Sequence, residues 1–258
     1  KIQEQAIAAN IDTIFIVTSA NSEFNESRLE RYLALAKKHV VKPVILITKD
    51  DLVADGQSYR ERTLAITDTP TILVDARNKD LPSKLGQWLK IGNTIAVLGS
   101  SGVGKSTILN TLAGSKIQET GIVRTTDNRG RHTTTSRSIH LLKYGPMILD
   151  TPGIRELTLA HSKEVLSEMF ADIEALFLSC KFANCTHNSE PDCAIQEALQ
   201  QKTLDQRRFN NYQKLCAEDL YYAQIIEEDI KENSDVKGRK KFREGRGKTE
   251  SRNPPPEC

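Results

Sequence analysis

The sequence contains no apolar run of roughly 18 to 20 residues, the length that a helix needs to cross a bilayer. Residues 1–10 also lack the hydrophobic stretch of a secretion signal. Aromatic residues make up only 5% of the chain, and neither sign of charge dominates, because 36 Lys and Arg face 34 Asp and Glu. We therefore expect a cytoplasmic protein without a membrane partner, and any binding of a polyanion must use local charge patches rather than overall attraction.

The remaining composition is that of an ordinary globular protein. Hydrophobic residues make up 38% and charged residues 27% of the 258 positions, which excludes collagen-like, low-complexity and wholly disordered chains. This length allows one or two domains with a sizeable core. The chain begins with Lys1 rather than Met, so we expect a further N-terminal segment to be missing from it.

Short β-branched runs alternate with helical stretches over the first part of the chain. The predicted strands are 13–17, 44–47, 71–74, 94–98, an edge strand 137–142 and a buried strand 147–149, with helices at 26–39 and 105–112. Apolar strands that are joined by helices predict a mostly parallel sheet with helices on both faces, that is, an α/β domain.

The pattern changes near residue 158, where strands stop and a helical pattern runs from 161 to about 232. We therefore predict an α/β domain over residues 1–158 and a smaller helical domain over residues 159–236. Residues 237–258 form a basic tail rich in Lys, Arg and Gly, which we expect to be disordered because it cannot bury enough apolar area to fold alone.

One segment between a predicted strand and a predicted helix fits the pattern G-x-x-x-x-G-K-S. This phosphate loop consists of Gly99, Ser100, Ser101, Gly102, Val103, Gly104, Lys105 and Ser106, and Thr107 follows it. Glycines let the backbone curl so that N–H groups point at phosphate oxygens, while Lys105 is predicted to reach the β- and γ-phosphates and Ser106 to bind Mg²⁺. The alternative is an ordinary glycine-rich turn.

A second phosphate-site motif, Asp150-Thr151-Pro152-Gly153, directly follows the strand 147–149. An Asp at this place can hold Mg²⁺ through water, and the Gly153 amide can sense a γ-phosphate. The pattern D-x-x-G is weak alone, but its position after a buried strand downstream of Lys105 supports the assignment.

The phosphate loop does not distinguish ATP from GTP, so the base must be read elsewhere. No candidate follows Gly153, but an upstream segment after the second strand resembles the [NT]-K-x-D motif of GTPases. This base loop consists of Thr48, Lys49, Asp50 and Asp51. Asp51 can accept two hydrogen bonds from guanine N1–H and the 2-amino group, which adenine lacks, while Lys49 packs along the base. The alternative is an ordinary helix N-cap with a charged turn.

The base loop precedes the phosphate loop, which predicts a circularly permuted sheet. The chain resembles the circularly permuted, small ribosomal subunit-dependent GTPases of the RsgA (YjeQ/EngC) family. The resemblance is carried by five motifs in the family's order: T-K-x-D, G-x-S-G-V-G-K-S, G-R-H-T-T-T, D-T-P-G and a Cys/His cluster. The resemblance covers about residues 1–232 and implies GTP or GDP with Mg²⁺, and GTP hydrolysis during late maturation of the small ribosomal subunit. It also implies an N-terminal OB-fold domain, which this sequence lacks. A second base-contacting loop is expected at Asp75-Ala76-Arg77, where Asp75 departs from the usual Ser-Ala.

The switch segment between the two phosphate motifs is Arg-Gly-Arg-His-Thr-Thr-Thr at residues 129–135. We predict that Thr134 completes the Mg²⁺ shell, with Thr133 as the alternative. Ile154 stands where Ras-type enzymes have a Gln that orients the attacking water, and an apolar side chain cannot do this. His132 is the nearest replacement, and the resemblance supports its hydrolytic role. The alternative is that His132 is an exposed loop residue or an RNA contact.

Four potential metal ligands, Cys180, Cys185, His187 and Cys193, are spaced as C-x4-C-x-H-x5-C. Three thiolates and one imidazole make a closed tetrahedral set for one structural Zn²⁺, and the spacing equals that of the resembled family. The alternative of buried cysteines without a metal is disfavoured by the polar residues among them. We assign no chemistry to Cys216 and Cys258.

The basic tail suits a phosphate backbone, although such a charge run is often merely solvated. The resemblance points to the small ribosomal subunit and its rRNA as partners, and we expect the protein to be a monomer. Two alternative functions stay open from the residues: a nucleotide-gated RNA-binding protein in which hydrolysis is incidental, and a P-loop ATPase or kinase.

Overall fold

A computed structural model describes residues 10–117, 138–142, 145–150 and 158–246, with only the backbone for 229 and 232–246. Its six strands are β1 (Thr13–Ser19), β2 (Lys42–Thr48), β3 (Thr71–Val74), β4 (Thr94–Gly99), β5 (Ser138–Leu141) and β6 (Met147–Asp150). They form one sheet in the order β3-β2-β1-β4-β6-β5, in which β5 alone runs antiparallel to its neighbour. The predicted mostly parallel sheet is confirmed.

Eight helices connect and follow these strands in the described residues. They are α1 (Glu26–Lys38), α2 (Gln57–Leu64), α3 (Leu81–Lys84), α4 (Lys105–Ala113), α5 (Lys163–Met169), α6 (Ala171–Phe177), α7 (Ala194–Gln200) and α8 (Gln206–Arg246), with a short 3-10 turn at Asp50–Leu52. The predicted α/β domain followed by a helical part is therefore present in the structure.

The central strands are buried on both faces, as their continuous apolar sequences require. Ile14 and Ile16 of β1 belong to a core cluster that also contains α1 and the helices α5 to α8. Phe15 and Val17, which alternate with them, belong to a second cluster with α3 and α4. The C-terminal helices thus share a core with one face of the sheet.

The sheet order places the candidate loops together. From β1 the chain proceeds to β2 and β3 on one side, whereas β4 and β6 lie on the other side. Strands β1 and β4 are parallel neighbours, so the order reverses between them and their carboxyl ends flank a crevice. Ligands of open α/β sheets bind at such a reversal.

The last helix differs from the sequence-based expectation. We expected residues 237–258 to be a disordered tail, but α8 continues to Arg246, so residues 237–246 are helical. Strong helix formers such as Lys, Arg and Glu dominate this segment, and a helix that is already nucleated by its packed first half extends at little cost. Residues 247–258 lie outside the described residues.

A buried carboxylate joins α1 to α8. Glu30 is 1% exposed, and its oxygens accept hydrogen bonds from Arg207 (2.9 Å), Arg208 (2.8 Å) and Asn211 (2.6 Å). Arg208 also donates to Asp172 at the start of α6 (2.8 Å). A buried carboxylate requires hydrogen-bond donors in place of water, and three side chains of α8 provide them for Glu30.

Replacing this carboxylate tests how firmly α8 is attached. We expect Glu30→Gln to lower the free energy of unfolding by about 3 kcal/mol, because two guanidinium groups lose their buried counter-charge. The matched control is Glu26→Gln on the same helix, since Glu26 pairs with the half-exposed Arg62 and such pairs contribute less than about 1 kcal/mol. Urea unfolding measures both values, and equal losses would contradict the special role of Glu30.

Candidate nucleotide-binding and metal sites

The phosphate loop begins where β4 passes close to β1. Gly99 has a φ of 152°, and a Cβ on it would lie 2.3 Å from the carbonyl oxygen of Val17. Gly104, with a φ of 101°, directly precedes α4 and has the side chain of Thr48 3.5 Å from the position of a Cβ. At Gly99 a side chain would clash with the backbone of β1, whereas at Gly104 there is room for a Cβ and the positive φ is what favours glycine.

Lys105, the first residue of α4, closes this loop. Its Nζ donates to the carbonyl oxygens of Gly99 (3.0 Å) and Ser100 (2.7 Å). Ser106 and Thr107 follow in the first helical turn and are half-buried. The ammonium group and the N-terminal end of α4 therefore lie at one place, as phosphate binding requires.

Asp150 ends β6 beside the phosphate-loop strand, opposite Val97 of β4. The residue is 2% exposed. Burial raises the pKa of Asp150, and the nearby charges of Lys105 and His140 partly oppose this rise. A cation at this place would favour the charged carboxylate further. The other predicted residues of this region, Gly153, His132, Thr134 and its alternative Thr133, lie outside the described residues.

The base loop lies at the same edge of the sheet. The Thr48 hydroxyl contacts the carbonyl oxygens of Val103 in the phosphate loop (2.5 Å) and Thr18 in β1 (3.0 Å). One side chain thus joins the two predicted loops across 55 positions of sequence. This contact brings the candidate residues of the two loops into one crevice.

The three charged residues of the base loop, Lys49, Asp50 and Asp51, have different surroundings. Lys49 adopts a φ of 62°, and burial lowers its pKa against the opposing charge of Glu23. The Asp50 carboxylate lies over Gly56, where an added Cβ would be 1.8 Å from Oδ1. Asp51 is exposed, so its carboxylate is accessible to a ligand.

The expected second base-contacting loop follows β3. The Asp75 carboxylate accepts the Arg77 N–H (2.8 Å), and the Ala76 carbonyl accepts from Thr111 of α4 (2.6 Å). The Asp75 side chain, which stands where GTPases commonly have Ser, thus stabilises the turn 75–77 by accepting a hydrogen bond from its backbone. This loop is attached to the helix that follows the phosphate loop.

One residue at the crevice was missed by the sequence analysis. Arg28, in the first turn of α1, donates from its guanidinium group to the Ser100 hydroxyl of the phosphate loop. The two positions are 72 residues apart, and Arg28 occupies an ordinary place in an amphipathic helix. No local spacing could have revealed this contact.

The four predicted metal ligands converge. The ligand atoms of Cys180, Cys185, His187 and Cys193 all lie within 4.8 Å of one another. The Sγ atoms of Cys180 and Cys193 are each 3.6 Å from His187 Nδ1. Zinc–sulfur and zinc–nitrogen bonds of about 2.3 and 2.0 Å place tetrahedral ligands roughly 3.5 Å apart, so the donor set fits Zn²⁺.

Neighbouring groups orient these ligands. The His187 ring stacks on Phe177 with centroids 4.4 Å apart, and its carbonyl oxygen accepts from the Gln196 side chain. Burial acts to raise the pKa of Cys193, but hydrogen bonds with the Gln196 amide, the Cys185 thiol, the Ile195 amide and the Cys180 thiol together lower it. Thiolates are stabilised in this way at helix N-termini, and Cys193 directly precedes α7.

The pKa of Cys185, unlike that of Cys193, is raised. Burial and the thiols of Cys193 and Cys180 raise the pKa of Cys185 to about 11. Three thiolates cannot share this space without a cation, which is the situation that a bound metal resolves. Cys216 lies elsewhere, on α8, and does not belong to the cluster.

Within the described part of the chain, no helix combines the length and apolar character that crossing a membrane requires.

Comparison with known proteins gives clear relatives. A family model described as RsgA GTPase matches residues 1–160. A Vibrio parahaemolyticus protein named small ribosomal subunit biogenesis GTPase RsgA 2 is 47% identical, over 88% of this chain and 64% of its own length. The Mesorhizobium japonicum protein named small ribosomal subunit biogenesis GTPase RsgA is 45% identical, over 86% and 65% respectively. The chain thus spans somewhat less than two thirds of the length of these curated relatives.

Solved structures agree with this relationship. YjeQ from Thermotoga maritima is similar with a TM-score of 0.55 and 26% identity, over 82% of this chain and 72% of that one. YloQ, described as a circularly permuted GTPase, gives a TM-score of 0.51 and 26% identity over 81% and 68%. The predicted resemblance is confirmed, and the chain belongs to the RsgA GTPase family.

Proposed function

We propose that this chain hydrolyses GTP to GDP and phosphate and acts in late maturation of the small (30S) ribosomal subunit. The observation that carries the proposal is the contact of Thr48 with Val103, which joins a base loop to a phosphate loop at the carboxyl edge of the sheet. The names of the relatives, which describe small ribosomal subunit biogenesis GTPases, supply the biological setting.

The base loop would select guanine. Asp51 is exposed at the crevice and would accept hydrogen bonds from N1–H and the 2-amino group. Lys49, half-buried and held at a positive φ, would lay its aliphatic stem along the base plane. Thr48 and Asp50 would act through the shape of the loop, because the Thr48 hydroxyl contacts Val103 and the half-buried Asp50 carboxylate lies close to Gly56.

The phosphate loop would bind the di- or triphosphate. Backbone amides from Gly99 to Ser106 would surround the phosphate oxygens, and Lys105 would exchange its carbonyl contacts for the β- and γ-phosphates. Ser106 would coordinate Mg²⁺, and Asp150 would hold it through water. The raised pKa of Asp150 fits a carboxylate whose charge a cation stabilises in the bound state.

The switch residues complete the proposed hydrolysis. Thr134 would join the Mg²⁺ shell, Gly153 would contact the γ-phosphate through its amide, and His132 would accept a hydrogen bond from the attacking water. Ordering of this switch by a partner would control turnover, so intrinsic hydrolysis is expected to be slow.

We further propose that the chain is divided into a GTPase domain (1–158) and a helical zinc-binding domain (159–236). One structural Zn²⁺ would be bound by Cys180, Cys185, His187 and Cys193, which leave no open coordination position for catalysis. The basic C-terminal segment 237–258 would contact rRNA through phosphate charges. The protein would act in the cytoplasm as a monomer that binds the small subunit.

Steady-state hydrolysis tests the whole proposal. We expect turnover of GTP but not of ATP, and we expect purified small ribosomal subunits to raise the GTP rate. The measurement is phosphate release with each nucleotide, with and without small subunits. Equal use of ATP would favour the P-loop ATPase alternative, and GTP binding without any stimulated release would favour the nucleotide-gated RNA-binding protein.

Asp51→Asn tests the base loop separately. We expect this change to weaken GDP binding about a hundredfold, because the charged acceptor is lost and the amide places an N–H donor opposite one of the two guanine donors. Binding of xanthosine diphosphate should improve instead, because an amide can donate to the 2-oxo group of xanthine. Asp68→Asn is the control, since Asp68 is exposed and precedes β3, at the edge of the sheet opposite the carboxyl ends of the parallel strands. Unchanged preference for GDP in the Asp51 variant would refute the assignment.

The metal site is tested by metal analysis of purified protein. We expect about one zinc per chain in the unaltered protein and in Cys216→Ser, and close to none in Cys193→Ser, which should also melt at a lower temperature. Cys216 is a matched control because it is a half-buried cysteine outside the cluster. A folded unaltered sample without zinc would exclude the structural metal.

A further inference from the structure

Both the backbone and the side chain of Arg28 make hydrogen bonds. Its backbone N–H donates to the Asn25 side chain (2.8 Å), which caps α1, and its guanidinium group donates to the Ser100 hydroxyl. Ser100 is the second residue of the phosphate loop and is 4% exposed. A cap and a side-chain contact therefore connect the start of α1 to the loop.

This contact spans the point where the sheet order reverses. Arg28 belongs to the helix that follows β1, and Ser100 follows β4, its parallel neighbour. Helices α1 and α4 pack in the two different core clusters on opposite faces of the sheet. Arg28 therefore reaches from one face to the loop that leads into the helix of the other face.

Glu23 adds a charge between two cations. One of its carboxylate oxygens lies 3.9 Å from the Arg28 guanidinium group, and its charge also acts on Lys49 of the base loop. Both Arg28 and Glu23 have partly shielded side chains, with exposures of 37% and 23%. Lys49, Glu23, Arg28 and Ser100 thus form a polar series from one nucleotide loop to the other.

We propose that Arg28 is a positioning residue that holds the phosphate loop in the conformation that binds the diphosphate of a nucleotide. Arg28 acts through the Ser100 hydroxyl and does not itself touch the ligand. The loop contains three glycines, Gly99, Gly102 and Gly104, all with positive φ, which give its backbone conformational freedom. Fixing the second residue of the loop therefore lowers the entropic cost of ordering it when a ligand binds. This inference rests on the proposed function, because it requires a nucleotide diphosphate at this loop.

The test measures the dissociation constant of fluorescent GDP with Mg²⁺ for a set of variants. We expect Arg28→Ala to weaken binding on the order of tenfold, as for the loss of a hydrogen bond with one charged partner. Ser100→Ala keeps the charge of Arg28 and removes only the acceptor, so it should weaken binding by a similar factor. The double variant should be no weaker than Arg28→Ala alone, because both changes break one contact. Arg28→Lys should recover part of the loss.

Arg31→Ala is the matched control. Arg31 lies on the same helix, three positions further, and pairs with Glu218 of α8. Its loss should lower the melting temperature and leave the GDP dissociation constant within about twofold, since its ion-pair partner Glu218 lies on α8 and not in the phosphate loop. A parallel loss of GDP affinity in the Arg31 variant would mean that Arg28 only stabilises α1, and would overturn the inference.

Guanosine, which has no phosphate, separates positioning from general damage. Its inhibition constant against fluorescent GDP should be the same for the unaltered protein and for Arg28→Ala. An equal loss for guanosine and GDP, or no loss for either, would overturn the inference and leave the proposed function intact. Failure of the unaltered protein to bind GDP would overturn the proposed function, and this inference with it.

Discussion

The close approach of β4 to β1 is the constraint on which the site depends. Strand β4 ends at Gly99, which passes so near the Val17 carbonyl oxygen that no side chain fits there. This proximity brings the loop after β4 next to the turn after β1 and lets the Thr48 hydroxyl reach Val103. The crevice is therefore a result of backbone packing at the centre of the sheet, and the polar side chains are placed on that frame.

The order of motifs along the chain and their order in space are independent. In this chain the base loop comes first and the phosphate loop second, yet the parallel neighbours β2, β1 and β4 bring both to one edge. Each loop requires only a strand that ends at that edge and a helix that begins there. A circular permutation can therefore move the chain termini without moving the chemistry.

The sequence contains much of this arrangement, because its strongest signals are local. The strands β1, β2, β3 and β4 follow from apolar runs, and the phosphate loop and the metal ligands follow from spacings of fewer than about 15 residues. Two features could not be predicted: the contact of Arg28 with Ser100, and the pairing of Glu30 with Arg207 and Arg208. Both join residues that are far apart in sequence, and both use residue types that occur on any helix surface. The extension of α8 was missed for another reason, since composition alone does not show that a packed helix precedes the basic segment.

The cluster around Glu30 has a consequence for how this protein can diverge. Its carboxylate is almost without water and is shared by two guanidinium groups and an amide that belong to consecutive turns of one helix. A substitution at Glu30 removes the buried counter-charge of two guanidinium groups and leaves them only the more exposed carboxylates of Asp172 and Asp205, and a substitution at either Arg leaves the Glu30 carboxylate with fewer donors. Neutral drift through single changes is therefore blocked at these positions. Related chains should carry either the complete set or an apolar replacement of all its members, with few intermediates between them.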